Sequence, residues 1–324
     1  VGDGTAAQLA TAAGRQQPGA PSLAAARLAS DTSAGLAGSA RVTTGGGRLG
    51  VLADSRLDSD VLADGPGAIA ALVIDDRTTA SIGAGSAVPG SGGLSVVATT
   101  MDRASLDATG GVGLLASTVV TTAALEAGDA VTIDGDLDLA ATQDARAHAT
   151  GTGAAYTTTH HLVTTSVGRQ VSATGDVRVT GSGTSDAWTF VAAAAEAPSL
   201  DIAIAVATAM GAADAVSAAR IADAGALAAR AWTTATALVT THLLSGSPLR
   251  AGGSVLLEAV AGGSSGASAG AGTGDHARAL AVTLSDYRSR IRLDAPIVAH
   301  TDLYLYAGRG PPSATPTTDP TTDP

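Results

Sequence analysis

One short phrase, repeated along the chain, constrains the fold more than any other feature. A turn residue or two, in most copies Gly or Asp, leads into aliphatic residues at alternate positions and closes on a small side chain. Copies read Gly47-Arg48-Leu49-Gly50-Val51-Leu52-Ala53, Gly93-Leu94-Ser95-Val96-Val97-Ala98, Gly135-Asp136-Leu137-Asp138-Leu139-Ala140, Gly175-Asp176-Val177-Arg178-Val179-Thr180 and Thr301-Asp302-Leu303-Tyr304-Leu305-Tyr306-Ala307. Shorter copies begin at Gly225 and Gly253. Self-similarity of this kind marks one structural unit stacked many times. Anchored on the first aliphatic residue (Leu49, Leu94, Leu137, Val177, Leu227, Val255, Leu303), the spacings are 45, 43, 40, 50, 28 and 48 residues.

Hydrophobic residues fill 45% of the 324 positions but aromatics only 2%, so the expected core is thin and built from Ala, Val, Leu and Ile. All 18 basic residues are Arg, and Lys, Asn and Cys are absent. Without Asn there is no N-glycosylation acceptor, and Asp, Gly, Ser and Thr must fill the turns. Without Cys there are no disulfides and no thiolate metal sites. A net charge of -11 with no cluster of cations argues against a nucleic-acid partner. The longest apolar stretch, Val191 to Met210, is interrupted by Glu196, Pro198 and Asp201, which argues against a transmembrane segment. The chain opens on Val1 with no signal-like segment, and the expectation is a mature piece whose export signal lies upstream.

Period-two alternation at Leu200, Ile202, Ile204 and Val206, and at Leu303 and Leu305, predicts strands with one buried face. Partner phrases such as Ala80-Ser81-Ile82-Gly83 and Ser166-Val167-Gly168-Arg169-Gln170-Val171 lead into the anchors, giving at least three strand candidates per repeat. Strands of about four to six residues, with about two coils per repeat, predict about 14 coils stacked over roughly 65 to 70 Å. The Thr runs Thr121-Thr122, Thr157-Thr158-Thr159, Thr164-Thr165 and Thr240-Thr241 are expected on outward strand positions. Helix competes only in the Ala-rich pieces Ala192 to Ala197 and Ala212 to Ala231.

The fullest copy, Val167-Gly168-Arg169-Gln170-Val171-Ser172-Ala173-Thr174-Gly175-Asp176-Val177-Arg178-Val179, resembles the repeats of giant bacterial adhesins and filamentous-haemagglutinin-like surface proteins. The resemblance covers residues 40 to 308 and is one of residue classes. It implies an all-β, right-handed parallel β-helix, or β-solenoid, on the cell surface, here with irregular coils and loop insertions. The expected organisation is an irregular capping or joining segment over 1–39, a repeat body over 40–308 and a Pro/Thr-rich extended tail over 309–324.

Residues suited to chemistry are sparse. His160-His161 is the only His pair, and on a strand the two point to opposite faces. Gly270-Ala271-Gly272-Thr273-Gly274-Asp275 is a single calcium-loop-like turn without tandem partners. Asp75-Asp76-Arg77 and the alternating Arg288, Arg290 and Arg292 are the best candidates for a polysaccharide-cleaving groove. The competing readings are a turn and a solvated strand face. No catalytic residue, metal ligand or cofactor is therefore expected. The expected function is a non-enzymatic component of an extracellular filament, sheath or giant adhesin. Its partners are other copies of itself, and glycans or cell surfaces. Pro311, Pro312, Pro316, Pro320, Trp188 and Trp232 are the candidate subunit contacts. The alternative is a secreted polysaccharide-degrading or glycan-binding β-helix protein.

Overall fold

The computed structural model describes residues 3–14, 22–192, 204–211, 214–221, 228–271 and 278–309. All regular structure in these residues is β-strand, in layers that follow the repeats. The first layer is β1 (Asp3–Gly14) and β2 (Leu23–Leu36), and the second is β3 (Arg48–Asp64) and β4 (Ile69–Ile82). The third is β5 (Gly93–Thr109), β6 (Val112–Leu125) and the short β7 (Val131–Ile133). The fourth is β8 (Leu137–Thr152), β9 (Ala154–Val167) and β10 (Val171–Ala173). The fifth is β11 (Val177–Ala192), an insertion with β12 (Ile204–Gly211) and β13 (Asp214–Ile221), then β14 (Ala228–Leu243) and β15 (Leu249–Ala251). The sixth is β16 (Val255–Gly262), β17 (Ser264–Ala271), β18 (Arg278–Leu293) and β19 (Ile297–Ala299), and β20 (Leu303–Arg309) follows it.

Three parallel sheets result. The first runs β1-β3-β5-β8-β11-β16-β20, with β17 and β13 beside its last strands; the second runs β12-β18-β14-β9-β6-β4-β2; the short third runs β19-β15-β10-β7. Leu94 pairs with Leu137, and Leu137 with Val177, so neighbours in a sheet are one repeat apart. Each repeat thus makes one layer, where the sequence spacing suggested two coils. The strands are also longer than expected, 17 residues in β3 and 14 in β4. At about 4.8 Å per layer and about 3.3 Å per residue, the first sheet is roughly 55 Å along β3 but only about 30 Å through its seven principal strands.

The strands run long because alternation continues through polar residues. In β5, after the buried Gly93 at its start, the buried positions are Leu94, Val96, Ala98, Thr100, Asp102, Ala104, Leu106 and Ala108, all of one parity. The interior therefore has two aliphatic zones, one beside the short sheet around Leu94, Leu125 and Ile133, the other at the far turn around Leu57, Leu72 and Leu106. A polar band separates them. Here the expected placement of Thr is corrected: Thr157 and Thr159 face inward, as do Thr121, Thr165, Thr189, Thr233 and Thr241. Except for Thr159, their hydroxyls are hydrogen-bonded across the interior. Thr189 donates to Thr157 at 2.7 Å, Thr233 donates to Thr189 at 2.8 Å, and Thr165 and Thr241 share a bond of 2.9 Å.

The Gly-Asp turns of the repeated phrase have a steric cause. A Cβ on Gly135 would run into the carbonyl of Gly92 in the layer before, and one on Gly175 into the carboxylate of Asp136. The Asp then ties successive layers: Asp136 Oδ1 accepts from the Asp176 amide at 2.9 Å, and Asp176 Oδ1 from the Ser254 amide at 2.9 Å. Between the two long sheets the chain turns at Gly110 and Gly153, whose φ values of 88° and 114° disfavour any side chain.

The irregular spacings of 50 and 28 belong to a single layer. Val177 pairs directly with Val255, and the extra chain carries β12 and β13, which pair with β18 and β17. The anchor Leu227 lies outside the described residues. In the Ala-rich stretch where helix competed, Asp214–Ile221 and the chain from Ala228 are strand. Ala's helix propensity amounts to tenths of a kcal/mol per residue, and a neighbouring parallel ladder overrides it.

Candidate functional site

Strand β20 pairs with β16 alone and β19 with β15 alone. In β18, β12 covers Arg278–Ser285, while Asp286–Leu293 bonds only to β14. Among the described residues, one side of the stack is thus an open parallel edge shared by all three sheets. Its side chains keep the pattern of an interior layer. Leu303 and Leu305 stand in register with Val255 and Leu257, which are 0% and 2% exposed, yet they are themselves 48% and 49% exposed. Tyr304, Tyr306, Leu293 and Val298 are exposed beside them. A row of unpaired backbone groups flanked by uncovered aliphatic side chains is a template for another strand.

A second apolar surface lies on the outer face of the second sheet. Leu23, Ile69 and Val112 stack in register, and Leu114, Tyr156 and Trp232 form the next column. Trp232 is exposed, with its indole N–H donating to Thr234 Oγ1 at 3.1 Å. Trp188 is 4% exposed and stacked on Phe190, with ring centroids 5.8 Å apart. Its ring covers Gly266 of the adjacent strand, and its N–H donates to Ser264 at 3.3 Å. Pro311, Pro312, Pro316 and Pro320 lie outside the described residues, as does most of the calcium-loop-like turn.

The outer face of the first sheet holds a shallow cleft of about 340 Å³ lined by Asp58, Asp60, Arg103, Ser105, Arg146 and His148. Asp58, Arg103, Arg146 and Asp186 follow one another in register from layer to layer. Arg146 lies 3.5 Å from Asp144 and 4.0 Å from Asp186. The two arginines adjoin in this ladder and an aspartate flanks each, so the charges balance over the four positions, and the exposed Arg146–Asp144 pair within β8 contributes tenths of a kcal/mol. Arg288, Arg290 and Arg292 are exposed along the second sheet, where Arg288 pairs with Asp286 at 2.6 Å and Arg292 with Asp294 at 2.8 Å. Among the described residues no three His, Asp or Glu groups converge in a way that would hold a metal ion. No helix among them is long and apolar enough to cross a membrane.

Four buried ionisable residues stand apart, and local spacing marks none of them as buried. Arg169, at the start of the short-sheet turn, is 1% exposed and donates to four backbone carbonyls, those of Glu126, Ser86, Ile82 and Gly83. His161 faces inward with Nε2 3.5 Å from Ser117 Oγ, while His160 faces out, as the strand geometry predicts. Burial pushes His161 down to about 3, with a smaller push from His160. Asp76 and Asp102 come from opposite sheets and meet in the interior, while Asp75 and Arg77 face outward. Parity was the available signal: Asp102 shares its phase with Leu94 and Leu106, and His161 with Val163 and Val167.

No family model, curated protein or solved structure matches this chain.

Proposed function

We propose that the protein is a structural component of an extracellular bacterial filament, sheath or giant adhesin. In this reading it is a right-handed parallel β-helix that joins end to end with further copies of itself. One observation supports it above the others: the last layer carries core-type residues, Leu303 and Leu305, on an edge that no other described residue covers. The surface with the matching cross-section is the opposite end of a second copy, where β1 and β2 each pair on one side only. Burying the exposed half of each of these two leucines contributes about 1 kcal/mol apiece, alongside a new row of parallel hydrogen bonds.

Sedimentation velocity and negative-stain microscopy over a concentration series test the reading. The protein should form rods that lengthen with concentration, and Leu305→Arg should remain monomeric with an unchanged β-type circular dichroism spectrum. A wild-type protein that stays monomeric at every concentration would sink it.

A further inference from the structure

The interior of the stack holds two carboxyl groups with no cation facing them. Asp76 on β4 is 0% exposed and Asp102 on β5 is 1% exposed. They belong to successive layers and to opposite sheets. Ser55 Oγ donates to Asp76 Oδ2 at 2.9 Å. The Ser30 hydroxyl and the Arg77 backbone lie close to Asp76 and the Leu57 backbone close to Asp102, but Asp76 Oδ1 and both oxygens of Asp102 accept no well-formed hydrogen bond among the described residues. The two side chains are neighbours, since Ser55, which holds Asp76, and Leu57, in register with Asp102, share the inward face of β3, and a hydrogen bond between the two carboxyl groups is the contact open to these oxygens. Two carboxylates cannot share such a bond when both are ionised, because neither has a hydrogen to donate.

Among the described residues no cation faces the pair from the interior. Ser30 on β2 lies beside Asp76, and the inward neighbours of the pair in register are Leu57 on β3, Val119 on β6 and Ala145 on β8. Arg56, Arg77 and Arg103 occupy the opposite parity and are exposed on the outer faces. Asp58, also on an outer face, adds negative potential. Burial raises both groups, and for Asp102 the charge of Asp76 adds to it. The Ser55 and Ser30 hydroxyls and the Arg77 backbone act the other way on Asp76, and the Leu57 backbone does so on Asp102.

We propose that Asp76 and Asp102 hold a single proton between them at neutral pH, a proton-filled latch that ties the second layer to the third and releases in alkali. The sign follows from linkage. In the unfolded chain both groups are ionised above about pH 4. The folded pair retains one proton up to about 9. The folded state thus binds one more proton across that window, and its stability falls as pH rises through it.

Urea unfolding at about pH 5 and about pH 8 tests the latch in the full chain. Relative to Asp102→Asn, the wild-type folding equilibrium constant should fall by about tenfold per pH unit, the signature of one proton. The Asn amide still donates to Asp76, so the variant keeps the bond without the titration. Asp76→Asn should flatten the profile equally, which distinguishes a shared proton from one lone buried acid. His161, common to all the chains compared, drops out of the difference. Identical pH slopes in wild type and both variants would overturn the proposal. Should the variants fail to fold, carboxyl-carbon NMR of the aspartate-labelled wild type decides. One aspartate signal should stay protonated at pH 7, and titration of every aspartate below about pH 5 overturns the latch.

Discussion

Arg169 reaches the carbonyl of Ser86 at 2.9 Å although 83 positions separate them. The same guanidinium also holds the Gly83 carbonyl at 2.7 Å and the Glu126 carbonyl at 2.6 Å, so one side chain of the fourth layer secures the loops of the second and third. Burial works against its charge, while Glu126 and Asp129 favour it. Arg169→Ala leaves several buried carbonyls without a donor and should cost about 3 kcal/mol in chemical unfolding. Arg169→Lys should recover less than half, since an ammonium cannot reproduce the planar fork.

Asp176 is expected to act as a rivet between layers. Asp176→Ala removes the acceptor of the Ser254 amide and should cost about 1 kcal/mol, read as a shift in the urea midpoint at constant slope. Asp176→Asn, which keeps an oxygen in place, should lose much less.

His161 gives an acid limb to the stability profile. Its folded value is pushed down to about 3, whereas the unfolded imidazole titrates near 6.5, so the unfolded chain takes up a proton first and stability falls as pH drops between these values. His161→Gln should move the acid-unfolding midpoint to lower pH while leaving the alkaline side unchanged. An acid midpoint identical to wild type would contradict it.

Gly266 leaves room for the Trp188 ring, and a Cβ there would meet Cζ3 of the indole. Gly266→Ala should displace the ring, shift its fluorescence to the red and destabilise by about 1 to 3 kcal/mol. The Ser264 bond to the indole N–H should be lost with it.

Much of this architecture is legible in the sequence. The phrase at Leu94, Leu137 and Val177 marks the start of the first-sheet strands, and Leu303 with Leu305 marks the last. Strand length is less legible, because the aliphatic alternation of β5 stops at Ala98. Thr100 and Asp102 continue the buried parity of β5, and once a polar residue is accepted inside, the strand runs to Thr109. Thr157 and Thr233 were hidden for the same reason: a hydroxyl with a hydroxyl opposite is satisfied indoors, and a single sequence does not print its partner. Asp76 and Asp102 come from different strands of different sheets, so their meeting depends on register and on which strands face each other. Local spacing encodes neither.

The insertion in the fifth layer sets an order of events. Strands β12 and β13 precede β14 in the chain, yet their ladders are with β18 and β17, which are synthesised later. As the chain emerges from its N-terminus, the earlier layers can add one upon another, each on a finished neighbour. The inserted strands have no partner to meet until the sixth layer exists. They fold out of turn, and the long loop closure this demands makes their docking a late step in an otherwise sequential assembly.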